Sequence, residues 1–333
     1  MRSGTDGMHI KEKVLAKIRE YDTVLLFRHQ RMDGDCVGAA KGLQQILRLS
    51  YPEKKVILHD WQRSNYLAFM GPDDGDVPAE TYKTALAVVL DTATRDRISN
   101  PHWQECREVV KIDHHIETDP YGDLNWVEPE RSSVCEMVAE FAASFPEELK
   151  LDKRAAECLY AGMVTDSGRF RYPGVTGDTL RLAAGLLDTG INTETLYANL
   201  YLRDRNMFRY ESWVYENMRL TEHGAAYVHV PLAVWQGFGL DFEAASDAVG
   251  FLDSVRGSIL FMALIETGLP DHSVRVRLRS RFMAVDRLAA AFHGGGHANA
   301  SGGTVYSEAE EAALLAAADD LIRGCRRDHP EWM

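Results

Sequence analysis

Four short apolar segments constrain the fold of this chain more than any other feature of its sequence. They lie at residues 23–28, 55–59, 85–90 and 108–112 of a chain of 333 residues. Each has the length of a buried strand, and helical patterns lie among them. Runs of this kind that alternate with helices are typical of a parallel sheet with crossover connections. The first part of the chain is therefore predicted to be an α/β domain.

Polar residues follow three of these segments directly. They occur in RHQRMDGDCVG after the first segment, in VVLDTATRDR after the third and in VVKIDHHIE after the fourth. A fourth polar motif, AGMVTDSGRF, follows a segment predicted to be helical. Open α/β sheets place their sites beyond the carboxyl ends of the strands. We therefore expect the four motifs to meet at one rim of the sheet.

The four motifs are rich in aspartate and histidine, which favours a site for paired divalent cations. Phosphate esters resist attack because their negative charge repels a nucleophile. Two cations about 3.5–4 Å apart offset that charge and lower the pKa of a shared water. Histidine with carboxylate suits manganese, although ligand type alone leaves zinc, iron and magnesium open. Each motif taken singly also fits an ordinary turn or helix cap; together they favour a metal-dependent phosphoesterase.

The cysteines are predicted to have no metal or disulfide role. There are five of them, an odd number, and none forms a CxxC pair, which argues against a disulfide framework or a cysteine-based zinc site. We expect small buried or surface thiols at all five positions: Cys36, Cys106, Cys135, Cys158 and Cys325.

Charge and hydropathy limit the partners of the chain. The formal net charge is −13, whereas proteins that grip long nucleic acid carry a basic stripe to neutralise phosphates. Small phosphorylated substrates remain compatible, because they need only local cations. No apolar run approaches the ~20 residues that span a bilayer, and the N-terminus lacks the apolar core of a secretory signal. These features predict a cytoplasmic protein without a membrane partner.

The C-terminal part changes character and is predicted to be a second, smaller α/β domain. Strand-like runs at 225–230, 258–266 and 273–279 precede a glycine-rich loop at 293–303 and an alanine-rich helix at about 308–322. Predicted bounds are 1–195 for the catalytic domain, 196–224 for a helical connector and 225–333 for the second domain. Gly294, Gly295 and Gly296 allow a backbone to approach a ligand closely, and successive N–H groups cradle anions. A plain hairpin or helix entry is the alternative for this loop.

The motifs resemble those of the DHH phosphoesterase superfamily, which is named for the triplet found here at 113–115. The resemblance extends to RLRSR (277–281) and HGGGHANASGG (293–303), which are similar to the DHH-associated C-terminal domain. Chain length and the Gly-Gly-Gly-His sequence resemble the NrnA-type branch. Those enzymes are oligoribonucleases that also dephosphorylate 3′-phosphoadenosine 5′-phosphate (pAp).

The resemblance implies two metal ions, most simply Mn²⁺, and a set of six ligands. His115 would act on the substrate phosphate, either by stabilising the developing charge or by protonating the leaving oxygen. Asp113 would orient a histidine. Met32 and Ala39 stand where the family often has Pro and Ser, but neither position supplies a ligand. One ion would be held by His29 and Asp33, the other by Asp35, His114 and Asp166, with Asp91 bridging.

The second domain is expected to recognise the substrate. Arg279 and His297 resemble residues that grip its far phosphate or base, and arginine suits bidentate contact with phosphate. Arg131 is a further candidate, because it precedes a predicted helix whose N-terminus attracts anions. Ser132 or Ser133 as a plain N-cap is the alternative there. The family also suggests a homodimer, and the expected substrates are short oligoribonucleotides or small nucleotides.

Other readings of the sequence remain. A stand-alone cyclic-dinucleotide phosphodiesterase of the same superfamily fits the same motifs. A family II pyrophosphatase has a lysine-rich signature where this chain has Gly-Gly-Gly-His, and a processive exonuclease needs additional nucleic-acid-binding domains. A catalytically inactive nucleotide-binding protein would be indicated by a missing ligand, but all six expected ligands are present.

Overall fold

The computed structural model describes residues 8–60 and 66–331 of the chain. It divides into two compact units with bounds Met1–Leu202 and Arg203–Met333. Residues 1–7, where the sequence predicts the absence of a secretory signal, lie outside the described part. Each unit has its own sheet and its own hydrophobic core, and each is described by itself below.

The first unit contains a five-stranded parallel sheet in the order β2-β1-β3-β4-β5. The strands are β1 Thr23–Phe27, β2 Lys55–Leu58, β3 Leu86–Leu90, β4 Glu108–Asp113 and β5 Leu124–Val127. The helices are α1 Ile10–Glu20, α2 Gly34–Ser50, α3 Ala79–Tyr82, α4 Val134–Ser144, α5 Lys153–Asp166, α6 Gly177–Leu187 and α7 Thr193–Tyr201. Short 3-10 turns lie at Ala68–Met70, Arg95–Arg97 and Pro101–Glu105.

Both faces of this sheet are buried, which explains its continuous apolar strands. In β1, Val24 and Leu26 pack into the larger core cluster, whereas Leu25 and Phe27 pack into a second cluster on the opposite face. The structure confirms the four predicted strands to within two residues at each end. The sequence reasoning missed β5, because its four residues, LNWV, are too short and too polar for a periodic signal.

Close packing of α2 against α5 brings together two of the polar motifs. A Cβ atom at Gly38 would lie 2.5 Å from the carbonyl oxygen of Cys158 on α5, and one at Gly162 would lie 3.0 Å from the carbonyl oxygen of Gly34 on α2. Only glycine therefore permits the approach of these helices. As a result the N-terminus of α2, which carries Asp35, lies beside the C-terminus of α5, which ends at Asp166.

The second unit has a six-stranded mixed sheet in the order β10-β11-β9-β8-β7-β6. The pair β7–β8 is parallel and the other pairs are antiparallel. Its strands are β6 Arg219–Leu220, β7 Ala226–Val230, β8 Leu260–Glu266, β9 Val274–Ser280, β10 Gly295–His297 and β11 Ala300–Val305. Its helices are α8 Arg205–Asn217, α9 Leu232–Gly237, α10 Phe242–Ser246, α11 Ala248–Phe251, α12 Asp286–Ala291 and α13 Glu308–Asp328, with a 3-10 turn at Leu252–Ser254.

The predicted glycine-rich loop at 293–303 is a β-hairpin, which corrects that element. Gly295 pairs with Gly302, and His297 pairs with Ala300. A Cβ atom at Gly294 would lie 1.9 Å from the carbonyl oxygen of Gly302, so the hairpin closes only because this residue is glycine. The structure thus confirms the hairpin that the sequence left open as an alternative; the sequence did not favour it because glycine is depleted in strands.

No helix within residues 8–60 and 66–331 is both long and apolar enough to cross a membrane.

Candidate metal centre

The first group of candidate ligands forms around His29, just beyond the end of β1. The ring nitrogen Nδ1 lies 2.7 Å from the carbonyl oxygen of Gln30 and, as its hydrogen-bond donor, fixes the tautomer. The other nitrogen, Nε2, then faces two carboxylates. It lies 3.5 Å from Asp33 Oδ2 and 3.4 Å from Asp91 Oδ2. His29 is buried and Asp33 begins helix α2 as its N-cap.

The second group forms around His114, just beyond the end of β4. Its Nδ1 donates to the carbonyl oxygen of Arg131 at 3.0 Å, which again directs Nε2 towards carboxylates. That nitrogen lies 3.4 Å from Asp166 Oδ2 and 3.6 Å from Asp91 Oδ1. Asp35, His114 and Asp166 each offer a ligand atom within 4.8 Å of the others.

Asp91 joins the two groups. Its Oδ2 faces His29 and its Oδ1 faces His114. The residue is buried, follows β3 in a left-handed backbone conformation with φ of 52°, and donates its N–H to the carbonyl oxygen of Ile112 at 2.9 Å. Within the described part of the chain, Oδ1 makes no hydrogen bond. A buried carboxylate oxygen without a donor is costly, and a cation would satisfy it.

The separations between these atoms also fit ligands of shared cations. Distances of 3.4–3.6 Å from histidine nitrogen to carboxylate oxygen are longer than an ordinary N–H···O hydrogen bond, which is about 2.9 Å. Two ligands of one tetrahedral ion, each bonded at ~2.1 Å, lie about 3.4 Å apart. The side chains present at both groups therefore fit divalent cations.

The shifted pKa values in the cluster also favour bound cations. Burial, together with repulsion from Asp91, raises the pKa of Asp35 to about 7. Burial and the neighbouring carboxylates also hold the pKa of Asp166 well above its usual range. Burial alone would lower the pKa of His114, but Asp166, Asp91 and Asp35 raise it to about 10. The pocket thus carries an excess of negative charge that only protons or cations offset.

His115 lies beside His114, with ring centres 5.0 Å apart, but its nearest carboxylate is that of Asp113. Its Nδ1 lies 2.8 Å from Asp113 Oδ1, and since a carboxylate only accepts, Nδ1 is the donor. On the other side of Asp113, Lys111 Nζ lies 3.2 Å from Oδ2. Burial would raise the pKa of Asp113, but the hydrogen bond from His115 and the charge of Lys111 hold it well below its usual range. Asp113 therefore orients His115 as an ionised carboxylate, and it shares no candidate ligand group with His29 or His114 among the described residues.

Asp35 has a second role that the sequence did not indicate. Its two carboxylate oxygens accept hydrogen bonds from the backbone N–H groups of Val134 and Cys135, at 2.7 and 2.8 Å. These groups form the first turn of α4, whose N-cap is Ser133. The positive end of α4 thus binds Asp35. That contact takes the place of the phosphate predicted at this helix N-terminus, and Ser133 confirms the N-cap alternative.

Comparison with known proteins decides the family. The family profile described as "DHH family, N-terminal domain" matches residues 23–163, and "DHHA1 domain" matches residues 225–324. The "bifunctional oligoribonuclease and PAP phosphatase NrnA" of Bacillus subtilis is 37% identical over 94% of this chain and 99% of its own length. The chain belongs to the DHH phosphoesterase family, in its NrnA-type branch. It is accordingly a hydrolase that acts on phosphate ester bonds.

A second curated relative agrees with this assignment, and a solved structure shares the fold. The "probable bifunctional oligoribonuclease and PAP phosphatase NrnA" of Streptococcus mutans is 32% identical over 93% of this chain and 98% of its own length. A crystal structure of an exopolyphosphatase-related protein from Bacteroides fragilis superposes with a TM-score of 0.83 at 24% identity, and covers 96% of this chain and 99% of that one. The latter shows that the fold is shared.

Arg131 does not have the environment expected of a phosphate-binding residue in this DHH protein. Its Nε donates to Glu128 at 2.6 Å, and its two terminal nitrogens contact Glu140 at 2.7 Å and Glu136 at 3.2 Å. The guanidinium group therefore donates hydrogen bonds to three carboxylates. Its backbone carbonyl meanwhile accepts the hydrogen bond from His114. This geometry argues against the predicted phosphate contact and makes Arg131 a residue that holds the turn behind His114.

In the second unit, the register of the sheet aligns the predicted recognition residues. Ala300 pairs with Arg279 on one side and with His297 on the other, so their side chains lie on the same face. Gly302 similarly lies between Arg277 and Gly295, and Thr304 pairs with Arg275. We call this set the arginine face: Arg275, Arg277 and Arg279 on β9, with the small residues of β11 and β10 beside them.

Two features were missed by the sequence reasoning: Lys111 was read only as part of an apolar strand, and Arg275 and Arg277 were not read as a face with Arg279. The prediction that the five cysteines form no disulfide is confirmed, and Cys36 is a buried thiol. The alternation of arginine in VRVRLR was the available signal for the face, since alternate residues of a strand point to the same side. Cys36 directly follows Asp35 in a motif already singled out.

Proposed function

We propose that this protein hydrolyses short oligoribonucleotides and pAp through two divalent cations held by the first unit. The arrangement that carries the proposal is the Asp91 carboxylate, whose two oxygens face His29 and His114, at 3.4 and 3.6 Å. His29 and Asp33 would hold one ion, and Asp35, His114 and Asp166 the other. The cations supply charge neutralisation at the phosphate and a hydroxide at neutral pH.

The side chains around this centre have distinct tasks. Asp113 fixes the ring of His115 through Nδ1, which leaves Nε2 to act on the substrate. We assign to His115 the stabilisation of charge on the phosphate oxygens or the donation of a proton to the leaving oxygen. The hydrogen bonds of His29 with Gln30 and of His114 with Arg131 hold both rings in place before substrate arrives.

We assign substrate capture to the arginine face of the second unit. Short nucleotides carry few phosphates, so a single patch of positive charge is sufficient to bind them in a protein with a net charge of −13. The names of the Bacillus and Streptococcus relatives support oligoribonucleotides and pAp as substrates. Manganese, a cytoplasmic location and a homodimer remain predictions.

The test of the metal centre is Asp91→Asn, which keeps the shape of the side chain and removes the charge of the bridging group. We expect turnover of pAp and of a linear dinucleotide to fall at least about a thousandfold, because one removed group with transition-state contacts is worth this much in comparable sites. Bound metal should fall as well, as measured by elemental analysis. Undiminished turnover by a folded variant would refute the two-cation assignment.

A substrate panel with added manganese tests the specificity. It compares pAp, linear dinucleotides, longer RNA and cyclic dinucleotides as substrates for the unmodified chain. We expect hydrolysis of the first two and little of the longer RNA. Preferential hydrolysis of cyclic dinucleotides would instead favour the phosphodiesterase alternative within the same family.

A further inference from the structure

One cysteine lies within the first group of candidate ligands. His29, Asp33, Cys36 and Asp91 each offer one atom, and these four atoms all lie within 4.8 Å of one another. Cys36 is fully buried in the first turn of α2, where its Sγ donates to the carbonyl oxygen of Asp33 at 3.6 Å. The ligand set assigned to this site above contains only nitrogen and oxygen.

The spacing permits the sulfur to share an ion with its neighbours. A thiolate bonds to zinc at ~2.3 Å and an imidazole nitrogen at ~2.1 Å, so two such ligands lie between about 3.6 and 4.4 Å apart. All four candidate ligand atoms lie within 4.8 Å of one another, a limit slightly longer than that range. The Asp91 carboxylate that completes the group is itself buried, and its Oδ2 lies 3.4 Å from His29 Nε2.

We propose that Cys36 is a fourth protein ligand of the cation at His29, and that its sulfur biases this position towards zinc, cobalt or ferrous iron and away from manganese. Thiolate is a soft ligand that these metals accept, whereas manganese prefers carboxylate and water. Binding replaces the S–H bond by a sulfur–metal bond and releases the proton to solvent. No electron is transferred.

The ligand role of Cys36 rests on the proposed metal centre. A titration with Co²⁺ distinguishes failure of the Cys36 role from failure of the metal centre. Metal-free protein is titrated with Co²⁺, and bound cobalt is counted after removal of the excess. A site made of nitrogen and oxygen ligands gives visible d–d bands alone, whereas a thiolate ligand adds a sulfur-to-cobalt charge-transfer band in the near ultraviolet. We expect both features in the unmodified chain.

The matched variants are Cys36→Ala, Cys36→Ser and Cys106→Ala. The first two should lose the charge-transfer band and keep the visible bands, whereas Cys106→Ala should keep both, because Cys106 lies outside the group. Serine retains the size of the side chain if alanine disturbs the packing of α2. In competition between equal concentrations of the two metals, the ratio of bound manganese to bound zinc should rise in both Cys36 variants.

The other possible results of the cobalt titration would each overturn a specific proposal. Absence of bound cobalt in the unmodified chain would overturn the metal centre itself, and the ligand role of Cys36 with it. Bound cobalt without a charge-transfer band, or a band that persists in Cys36→Ser, would overturn the role of Cys36 and leave the metal centre standing.

Discussion

Lys111 illustrates at the scale of a residue how a buried charge organises the site. It is fully buried in β4, and its Nζ donates to the carbonyl oxygens of Ala93 and Asp119, at 2.9 and 3.2 Å. The same nitrogen pairs with Asp113 and lies 4.8 Å from the centre of the Tyr121 ring. Lys111 thereby ties the loop that follows Asp91 to the carboxylate that orients His115.

Replacement of Lys111 by methionine should impair chemistry more than substrate binding. It leaves Asp113 without its cationic partner, and breaking a buried pair costs roughly 3–5 kcal/mol of stability. Because His115 then loses its fixed orientation, we expect kcat for pAp to fall about 10–100-fold while KM changes little. Steady-state kinetics and chemical unfolding measure the two effects.

Lys41 provides the matched control. It is also a buried lysine, but its Nζ pairs with Asp73 at 2.7 Å and not with Asp113, which orients His115. Lys41→Met should lose stability and keep kcat. If both lysine variants lost kcat equally, the specific role of Lys111 would be disproved.

The β10–β11 hairpin makes a prediction at the scale of an element, because two adjacent glycines differ in their surroundings. A Cβ atom at Gly294 would overlap the backbone of Gly302, whereas one at Gly295 would meet nothing within 4 Å. We expect Gly294→Ala to lower the thermal stability by several degrees and to reduce substrate affinity, because the strand pair must open.

Gly295→Ala is the control for that variant. It should keep the melting temperature of the unmodified protein, and any loss of substrate affinity would then indicate direct contact of the hairpin with substrate. Equal melting temperatures for the two variants would contradict the packing argument.

His229 links the sheet of the second unit to helix α13 in a way that depends on pH. Its Nδ1 lies 3.0 Å from Glu311 on α13, and its Nε2 lies 3.3 Å from Glu266 at the end of β8. The hydrogen bond with Glu311 is the main cause that raises the pKa of His229. Because folding raises this pKa, the protonated His229 stabilises the folded protein fully at pH values below ~6.5, which is the pKa of histidine in the unfolded chain. This stabilisation is lost as the pH rises through the pKa of His229 in the folded protein.

The variant His229→Gln should therefore be less stable than the unmodified chain at pH 6, with a difference that shrinks at pH 9. The side chain is one-third exposed, so we expect a loss of about 1 kcal/mol or less. Urea unfolding at the two pH values measures it, and Glu311→Gln should show the same trend. A difference that does not depend on pH would rule out the ionic contribution.

At the scale of the whole molecule, the distribution of charge favours small anionic substrates. The net charge of −13 repels long polyanions, whereas the arginine face places three cationic side chains on one side of the second sheet, with Glu243 and Asp247 near Arg277. Helices α12 and α13 pack against the other side, over Val276 and Leu278. Binding should thus be electrostatic but local, and sensitive to ionic strength.

Arg279→Gln should raise KM for pAp about tenfold or more with little change in kcat, since a charged hydrogen bond contributes roughly 1.5–3 kcal/mol. The KM of the variant should also depend less on salt than that of the unmodified protein. Arg323→Gln is the control, because it removes the same charge from an exposed site on α13. An equal effect of both variants would indicate a general charge effect and no specific contact.

The sequence by itself determined four of the five strands of the first sheet, the family and the motifs that carry the candidate ligands. These features are local: an apolar run such as 86–90 is buried wherever it lies, and the Asp and His residues at strand ends follow from chain order. The glycine-rich segment gave no such signal, because glycine lacks the side chain on which strand patterns depend.

Tertiary structure alone decided the partners of each side chain. The three carboxylates around Arg131 and the sulfur beside His29 lie within nine residues of those side chains in the sequence. The helix N-terminus that binds Asp35, in contrast, depends on a contact between segments far apart in the chain. Such contacts arise when α2, α4 and α5 pack at distances that glycine permits, and no local pattern encodes them. The sequence named the residue types for the chemistry, whereas packing selected which of them lie side by side.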